Sequence, residues 1–570
     1  MMKISPIASI MAATLTAAGI MVTQATPASA ATTCTVDASN SWGSGYVLAV
    51  NVGNSGPGSV SGWTVKLSFA EPPGVTGSWS ATLSTTGNVV TATNVDYNGN
   101  IAVGQTVSFG LQGTHDGTFS APSCTVAGGT DPTPTATTPA VTTPPATTTT
   151  APATTPPAGS PDLTVVPGTK YQTVDGFGAA TPIWAGASGQ WSTADTQTLV
   201  GMGSNQLGLS IVRTGLSPDT NDWSAAVNSL KTAKSSGSSV KILASPWTAP
   251  ASFKTNNSRV NGGKLKTDYY DDYATHLNNY VQYMKGQGVT IDVTSVQNEP
   301  DWHPDYDSMD WTGTEIKNFV HDQGAKVKDT KLLVAESLGF NRSYTDPTLQ
   351  DAAARDNIGY VGGHLYGTES TGNLSAYPLA AQYGKNQWMT EWNLHAADGS
   401  GSNIWGNPSN SAVWNETLDD IMRTVHKSME SNWSAYIWWY GKRFYSFIGD
   451  GEAQYGTTAG APLKRGFAFA QFAKYVRPGY QRIGLTKSAK ASGLEVTAYQ
   501  GAGKVVLVLL NRSNSPVSNA TVQVPQGISK AEQVTTSQSQ SAAAQAVGVN
   551  GGQATVNVGA RSISTVVLTL

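Results

Sequence analysis

Val296-Gln297-Asn298-Glu299-Pro300 closes an apolar, β-prone run and leaves Glu299 at its exit. Gln387-Trp388-Met389-Thr390-Glu391-Trp392 repeats the arrangement, with Glu391 lying 92 residues further on. Two carboxylates at the exits of two different strands, each followed by aromatic residues, suit cleavage of a glycosidic bond. One must be protonated to donate to the leaving oxygen, and the other ionised to attack the anomeric carbon or activate water. The chain has 37 acidic residues, so chance pairs are easy to find. Strand-terminal placement within a barrel pattern is the rarer arrangement.

That pattern extends on both sides. From about 162 to 477 strand-like runs alternate with helix-like ones. The runs are Thr173–Gly178, Gly208–Thr214, Val240–Pro246, Val293–Asn298, Lys331–Glu336, Tyr360–Tyr366, Gln387–Glu391 and Ala435–Tyr440. Helical stretches such as Tyr270–Lys285 and Thr314–Asp329 separate them. Eight such units predict a (β/α)8 TIM barrel, whose functional groups sit on the loops after the strands. Arg213 closes the second strand, Trp247 follows the third, and Asn298 with Glu299 closes the fourth. His364 and Tyr366 close the sixth, Glu391 the seventh, and Trp438–Tyr440 the eighth. Each is weak alone, and Arg213 is as well suited to a structural ion pair. Together they fall at one mouth.

The flanks have other grammars. Lys3, the mostly apolar Ile4–Val22 and Ala28-Ser29-Ala30 read as a signal peptide over 1–30, which makes the protein secreted and extracellular. No stop-transfer flank follows, so no membrane anchor is expected. Residues 31–127 carry short alternating runs between Gly, Asn and Pro clusters, the pattern of an all-β sandwich. The two cysteines, Cys34 and Cys124, can close one disulfide across it. A Thr/Pro-rich linker at 128–161 cannot bury a core. Residues 478–570 return to short alternating runs and read as a side β-domain.

Composition narrows the function. Lys and Arg total 34 against those 37 acids, a net charge of −3 with no basic footprint for nucleic acid. Sixteen Trp and 21 Tyr supply many faces for sugar rings. No G-x-S-x-G elbow marks an esterase. No H-E-x-x-H or Cys/His spacing marks a metal, so neither metal nor other cofactor is expected.

V-D-G-F-G, A-S-P-W-T-A-P, V-Q-N-E-P-D-W-H-P-D-Y, A-E-S-L-G-F-N, G-G-H-L-Y-G, W-M-T-E-W and Y-V-R-P-G-Y, in order from about 165 onward, resemble the bacterial endo-xylanases of glycoside hydrolase family 30. The resemblance implies a barrel with a side β-domain that cleaves β-1,4-xylan with retention, Glu299 as acid/base and Glu391 as nucleophile. Asn298 is then expected on the sugar 2-hydroxyl, and Trp247, Trp302 and Trp439 as stacking faces. Arg213, His364, Tyr366 and Arg443 complete the expected substrate contacts. A β-1,6-galactan or glucoside substrate within the family, and a non-catalytic polysaccharide-binding protein, are the alternatives. Many of these xylanases hold a glucuronate branch with an Arg after strand eight, in W-W-Y-I-R-R-S-Y-G. This chain reads W-W-Y-G-K-R-F-Y-S-F with a longer acidic loop (Asp450, Glu452), and Lys442 is a poor substitute for a bidentate fork. Cleavage without strict dependence on glucuronate is therefore expected, with Arg443 either serving in its place or only pairing with Asp450.

Residues 34–124 resemble a family 2 carbohydrate-binding module. The resemblance implies a flat platform of Trp42, Trp79 and Tyr97, a buried Trp63, and a cellulose or xylan surface as partner. A monomer is expected.

Overall fold

The computed structural model describes residues 32–42, 45–56, 58–79, 81–95, 98–115, 119–126, 161–182, 190–236, 239–367, 374–397 and 403–570. The expected signal peptide and all but the last residue of the expected linker lie outside them. So do Tyr97 and the side chains of Trp42 and Trp79.

The N-terminal unit is a sandwich of two four-stranded sheets. Thr32–Trp42, Gly45–Asn54, Thr106–Thr114 and Gly74–Trp79 form one; Ser123–Val126, Thr64–Ser68, Val89–Thr93 and Thr82–Thr86 form the other. Alternation along Gly45–Asn54 turns Leu48, Val50 and Val52 into the core, where period two buries one face. Trp63 is buried there, stacked on Phe109 at 5.1 Å with its indole N–H donating to the Asn98 carbonyl. Cys34 and Cys124 are bonded across 90 residues.

In the second unit eight parallel strands close a barrel: β1 (Gly176–Ala180), β2 (Ile211–Gly215), β3 (Lys241–Ser245), β4 (Val293–Ser295), β5 (Lys331–Ser337), β6 (Ile358–His364), β7 (Asn386–Glu391) and β8 (Ala435–Tyr440). Ile211, Leu243, Val293, Leu333, Trp388, Ala435 and Ile437 fill its interior. Their neighbours Val212, Ile242, Leu332, Val334, Met389 and Tyr436 face the surrounding helices. Helices pack on that outer face because their apolar stripes need the same cover; Tyr270–Gly286, for one, buries Tyr273, Leu277, Tyr280, Val281 and Met284.

A ten-stranded sheet forms the side β-domain. The sequence assigns it to 478–570, but it also takes Leu163–Thr173, which pairs with Gln481–Lys487 and Val517–Gln523. The first barrel strand accordingly begins at Gly176 rather than Thr173: Thr173 pairs with Gln481 in the side sheet. No helix among the described residues is long and apolar enough to cross a membrane.

Candidate active site

Two steps on from the interior layer, the barrel strands carry polar groups. Arg213 follows Ile211 by two residues, Ser245 follows Leu243 by two, and Trp439 follows Ile437 by two. The same alternation aims Glu336 and Glu391 outward, since Leu333 and Trp388 point in. Register shifts between Ala335 and Ser337 on β5, and between Met389 and Glu391 against β6, restore them to the mouth. Bulges beside functional sites commonly re-aim a side chain in this way. Glu299 and Glu336 also sit at positive φ, 44° and 51°, conformations that non-glycine residues adopt only under surrounding constraint. Part of that constraint is mutual, since the Glu299 N–H donates to the Glu336 carbonyl at 3.0 Å.

Arg213 is fully buried and spends its whole guanidinium here. Nη1 donates to Glu391 Oε2 at 2.6 Å, Nη2 to Asn298 Oδ1 at 2.6 Å, and Nε to Ser245 Oγ at 3.1 Å. Nη2 also lies 3.1 Å from Glu336 Oε1. The Tyr366 hydroxyl donates to the other Glu391 oxygen at 3.0 Å and accepts from the Asn393 amide at 2.8 Å. His364 Nδ1 is 2.8 Å from Glu299 Oε1, and Nε2 is 3.9 Å from both Glu336 and Glu391. Glu299, Trp302, Tyr306, Leu338, Tyr366, Glu391 and Trp439 line an open cleft of about 490 Å³.

Burial and charge act against each other on these groups. Burial opposes charge on His364, yet Glu391, Glu299 and Glu336 push it up to about 10. Burial also opposes charge on Glu336, and Arg213 and His364 bring it down to about 2. Burial raises the Glu391 carboxyl, with the His364 and Arg213 cations pulling against it. Two cations thus face three carboxylates. Arg213 lies against Glu391 and Glu336, and His364 against Glu299.

Glu299, His364 and Glu391 each place a ligand atom within 4.8 Å of the others, a spacing a metal ion could use. Here the imidazole lies against Glu299 and the guanidinium against Glu391, so these atoms already have partners.

The sequence-predicted residues divide into three groups. Glu299, Glu391, Tyr366, Trp302 and Trp439 line the cleft, with Trp302 48% exposed. Arg213, Asn298, His364 and Trp247 lie beneath it and are buried. Trp247 is therefore not a stacking face for sugar: Arg213 lies over its ring at 4.8 Å. Arg443 is drawn off by acids of its own loop, 3.3 Å from Glu452 and 3.8 Å from Asp450, and Lys442 by Asp195 at 2.7 Å. Sequence reasoning left Glu336, Ser245, Tyr306 and Asn393 without a role. Glu336 had a legible signal, since A-E-S ends its strand as N-E-P and T-E-W end theirs.

A (β/α)8 barrel with paired strand-exit carboxylates in an aromatic-lined cleft defines a glycoside hydrolase. The chain belongs to family 30 of that class. Residues 213–407 match the glycosyl hydrolase family 30 TIM-barrel domain and 479–566 its beta sandwich domain, while 32–131 match a cellulose binding domain. A glucuronoxylanase, XynC, of Bacillus subtilis strain 168 is 34% identical over 416 residues, covering 71% of this chain and 92% of the relative. The family 30 subfamily 8 xylanase Xyn30A from Clostridium acetobutylicum superposes with a TM-score of 0.62 at 31% identity, over 72% of this chain and 100% of that one. A family 30 endoxylanase from Clostridium papyrosolvens C71 gives 0.59 at 32% identity, with the same coverage.

Proposed function

We propose that the chain is a secreted, retaining endo-β-1,4-xylanase that does not strictly require glucuronate branches. The observation that carries this reading is that one carboxylate oxygen of Glu299 and one of Glu391 lie within 4.8 Å of each other at an open cleft. Retaining glycosidases hold their carboxyl groups about 5–5.5 Å apart, whereas inverting ones leave about 6.5–9.5 Å for a water. The xylanases among the relatives support xylan as the substrate, and the open cleft suits attack within a chain.

Glu391, ionised and held by Arg213 and Tyr366, attacks the anomeric carbon while Glu299 protonates the departing oxygen. Water, activated by the now ionised Glu299, then releases the sugar from Glu391. Trp302 and Trp439 offer faces for pyranose rings. The capture of Lys442 and Arg443 by carboxylates supports tolerance of unbranched or arabinose-branched chains. The exposed edge of Arg443 and the glucuronoxylanase among the relatives favour a second reading, glucuronoxylan specificity. Export is supported by the Ala28-Ser29-Ala30 signal and by the Cys34–Cys124 disulfide, which needs an oxidising compartment. The sandwich would tether a monomeric enzyme to cellulose or xylan.

Product analysis on glucuronoxylan, arabinoxylan and β-1,6-galactan, with Glu391→Gln as control, tests the proposal. Xylo-oligosaccharides from both xylans, absent in the variant, are expected. Products from glucuronoxylan alone would leave only the second reading, and release from galactan alone would overturn both.

A further inference from the structure

Glu336 takes no part in the mechanism above, and it is the least accessible carboxylate of the cluster. It is wholly buried and absent from the cleft lining, so substrate does not reach it. Its carboxylate lies 3.1 Å from Arg213 Nη2 and 3.9 Å from His364 Nε2, and Ser295 adds a hydrogen bond. A buried charge of this kind is costly unless something keeps its partners charged as well.

We propose that Glu336 is a positioning residue for proton transfer: its fixed negative charge keeps His364 cationic while negative charge passes between Glu391 and Glu299. The inference rests on the catalytic assignment of those two residues. In the first step Glu391 bonds to the anomeric carbon. The glycosidic bond breaks toward the leaving oxygen, which takes the Glu299 proton, so the negative charge leaves Glu391 and appears on Glu299. In the second step the water oxygen bonds to the anomeric carbon as its proton goes to Glu299, while the carbon–oxygen bond to Glu391 breaks and returns the charge. His364 stands between the two, 2.8 Å from one and 3.9 Å from the other, and serves both states only if both its nitrogens keep their protons.

The groups facing His364 are Glu299 and Asp301 from the loop after β4, Glu336 from β5, Glu391 from β7 and Tyr366 beyond its own strand, with Arg213 behind the carboxylates. Glu299 and Glu391 change charge during turnover, and Glu336 is the full-time anion among the close partners. Its carbonyl also fixes the backbone of Glu299.

The test is 15N NMR of histidine-labelled protein from pH 5 to 10, with the His364 signals assigned by their loss in His364→Asn. Wild-type His364 is expected to stay doubly protonated through pH 8. In Glu336→Gln it should titrate about one to three units lower. That variant should also acquire an alkaline loss of kcat with the same midpoint, at little change in KM. An unchanged His364 titration in Glu336→Gln, or activity lost evenly at every pH, would overturn the proposal. If Glu336→Gln does not fold, Glu336→Asp takes its place with a smaller downward shift of His364 expected. An unchanged titration there would overturn the proposal, and so would a wild-type His364 that is neutral at pH 7. An active Glu391→Gln enzyme would sink the catalytic assignment instead, while the His364 titration would still report what Glu336 does.

Discussion

The second unit buries two arginines almost completely, and they do opposite work. Arg213, at the barrel mouth, meets Glu391, Glu336 and Asn298, in a cluster with more carboxylates than cations. Arg465, on the helix after β8, pairs with Glu416 and also meets neutral groups. Among these are the Leu394 carbonyl at 2.6 Å, the Tyr445 carbonyl at 2.8 Å, Thr417 Oγ1 at 3.1 Å and the Trp405 ring at 4.4 Å. The Arg465 cluster ties the loops after β7 and β8 together, and Asp420 adds a second carboxylate to its field. Around Arg213 three carboxylates and two cations stand beside an open cleft. Burial alone does not mark a functional ion pair; a place beside an open cleft does.

Breaking the cluster at the cleft should cost turnover, and breaking the one around Arg465 should cost stability. Glu391→Gln should lower kcat on xylan by roughly 10⁵-fold, the scale seen when a covalent nucleophile is removed, with the thermal midpoint close to wild type. Glu299→Gln should lose roughly 10³-fold on xylan. It should lose far less in the glycosylation step of an aryl xyloside whose leaving group needs no proton; stopped-flow bursts separate the steps. Arg465→Met leaves Glu416 buried without its cation and should destabilise the fold by about 3–5 kcal/mol in urea titration. The surviving folded enzyme should keep the wild-type pH profile; a shifted profile would erase the distinction between the two arginines.

Glu336 sharpens the comparison through pH. Its carboxyl lies at about 2 in the folded protein against an ordinary 4.5. A depressed folded value adds stability that is present above about 4.5 and lost as pH falls toward 2. Glu336→Gln should therefore flatten the acid limb of stability between those values, read from urea midpoints at several pH values. The smallest effect belongs to the exposed pair: Arg443→Ala should change stability by less than about 1 kcal/mol.

Much of the architecture was legible because it rests on local period. Apolar runs long enough for barrel strands, separated by amphipathic helices, are a property of short windows, and each of the eight runs contains a barrel strand, although 208–210 and 296–298 lie outside theirs. The side sheet was harder. Leu163–Thr173 joins Gln481–Lys487 across more than 300 residues, and no local pattern announces such a partner. Arg443 shows a similar limit. Its place after strand eight suggests either a substrate contact or a pair with Asp450, and only the path of the loop brings Glu452 closer still and decides between them.

The sequence by itself determined that Glu336 and Glu391 lie at the ends of barrel strands and Glu299 just beyond one, because composition and period set roughly where strands begin and stop. Tertiary structure decided which way two of them point. Strict alternation would turn Glu336 and Glu391 outward, and only the mismatch of register with a neighbouring strand inserts the bulges that bring them back to Arg213. A bulge is a property of two strands together, so it exists only once the barrel has closed.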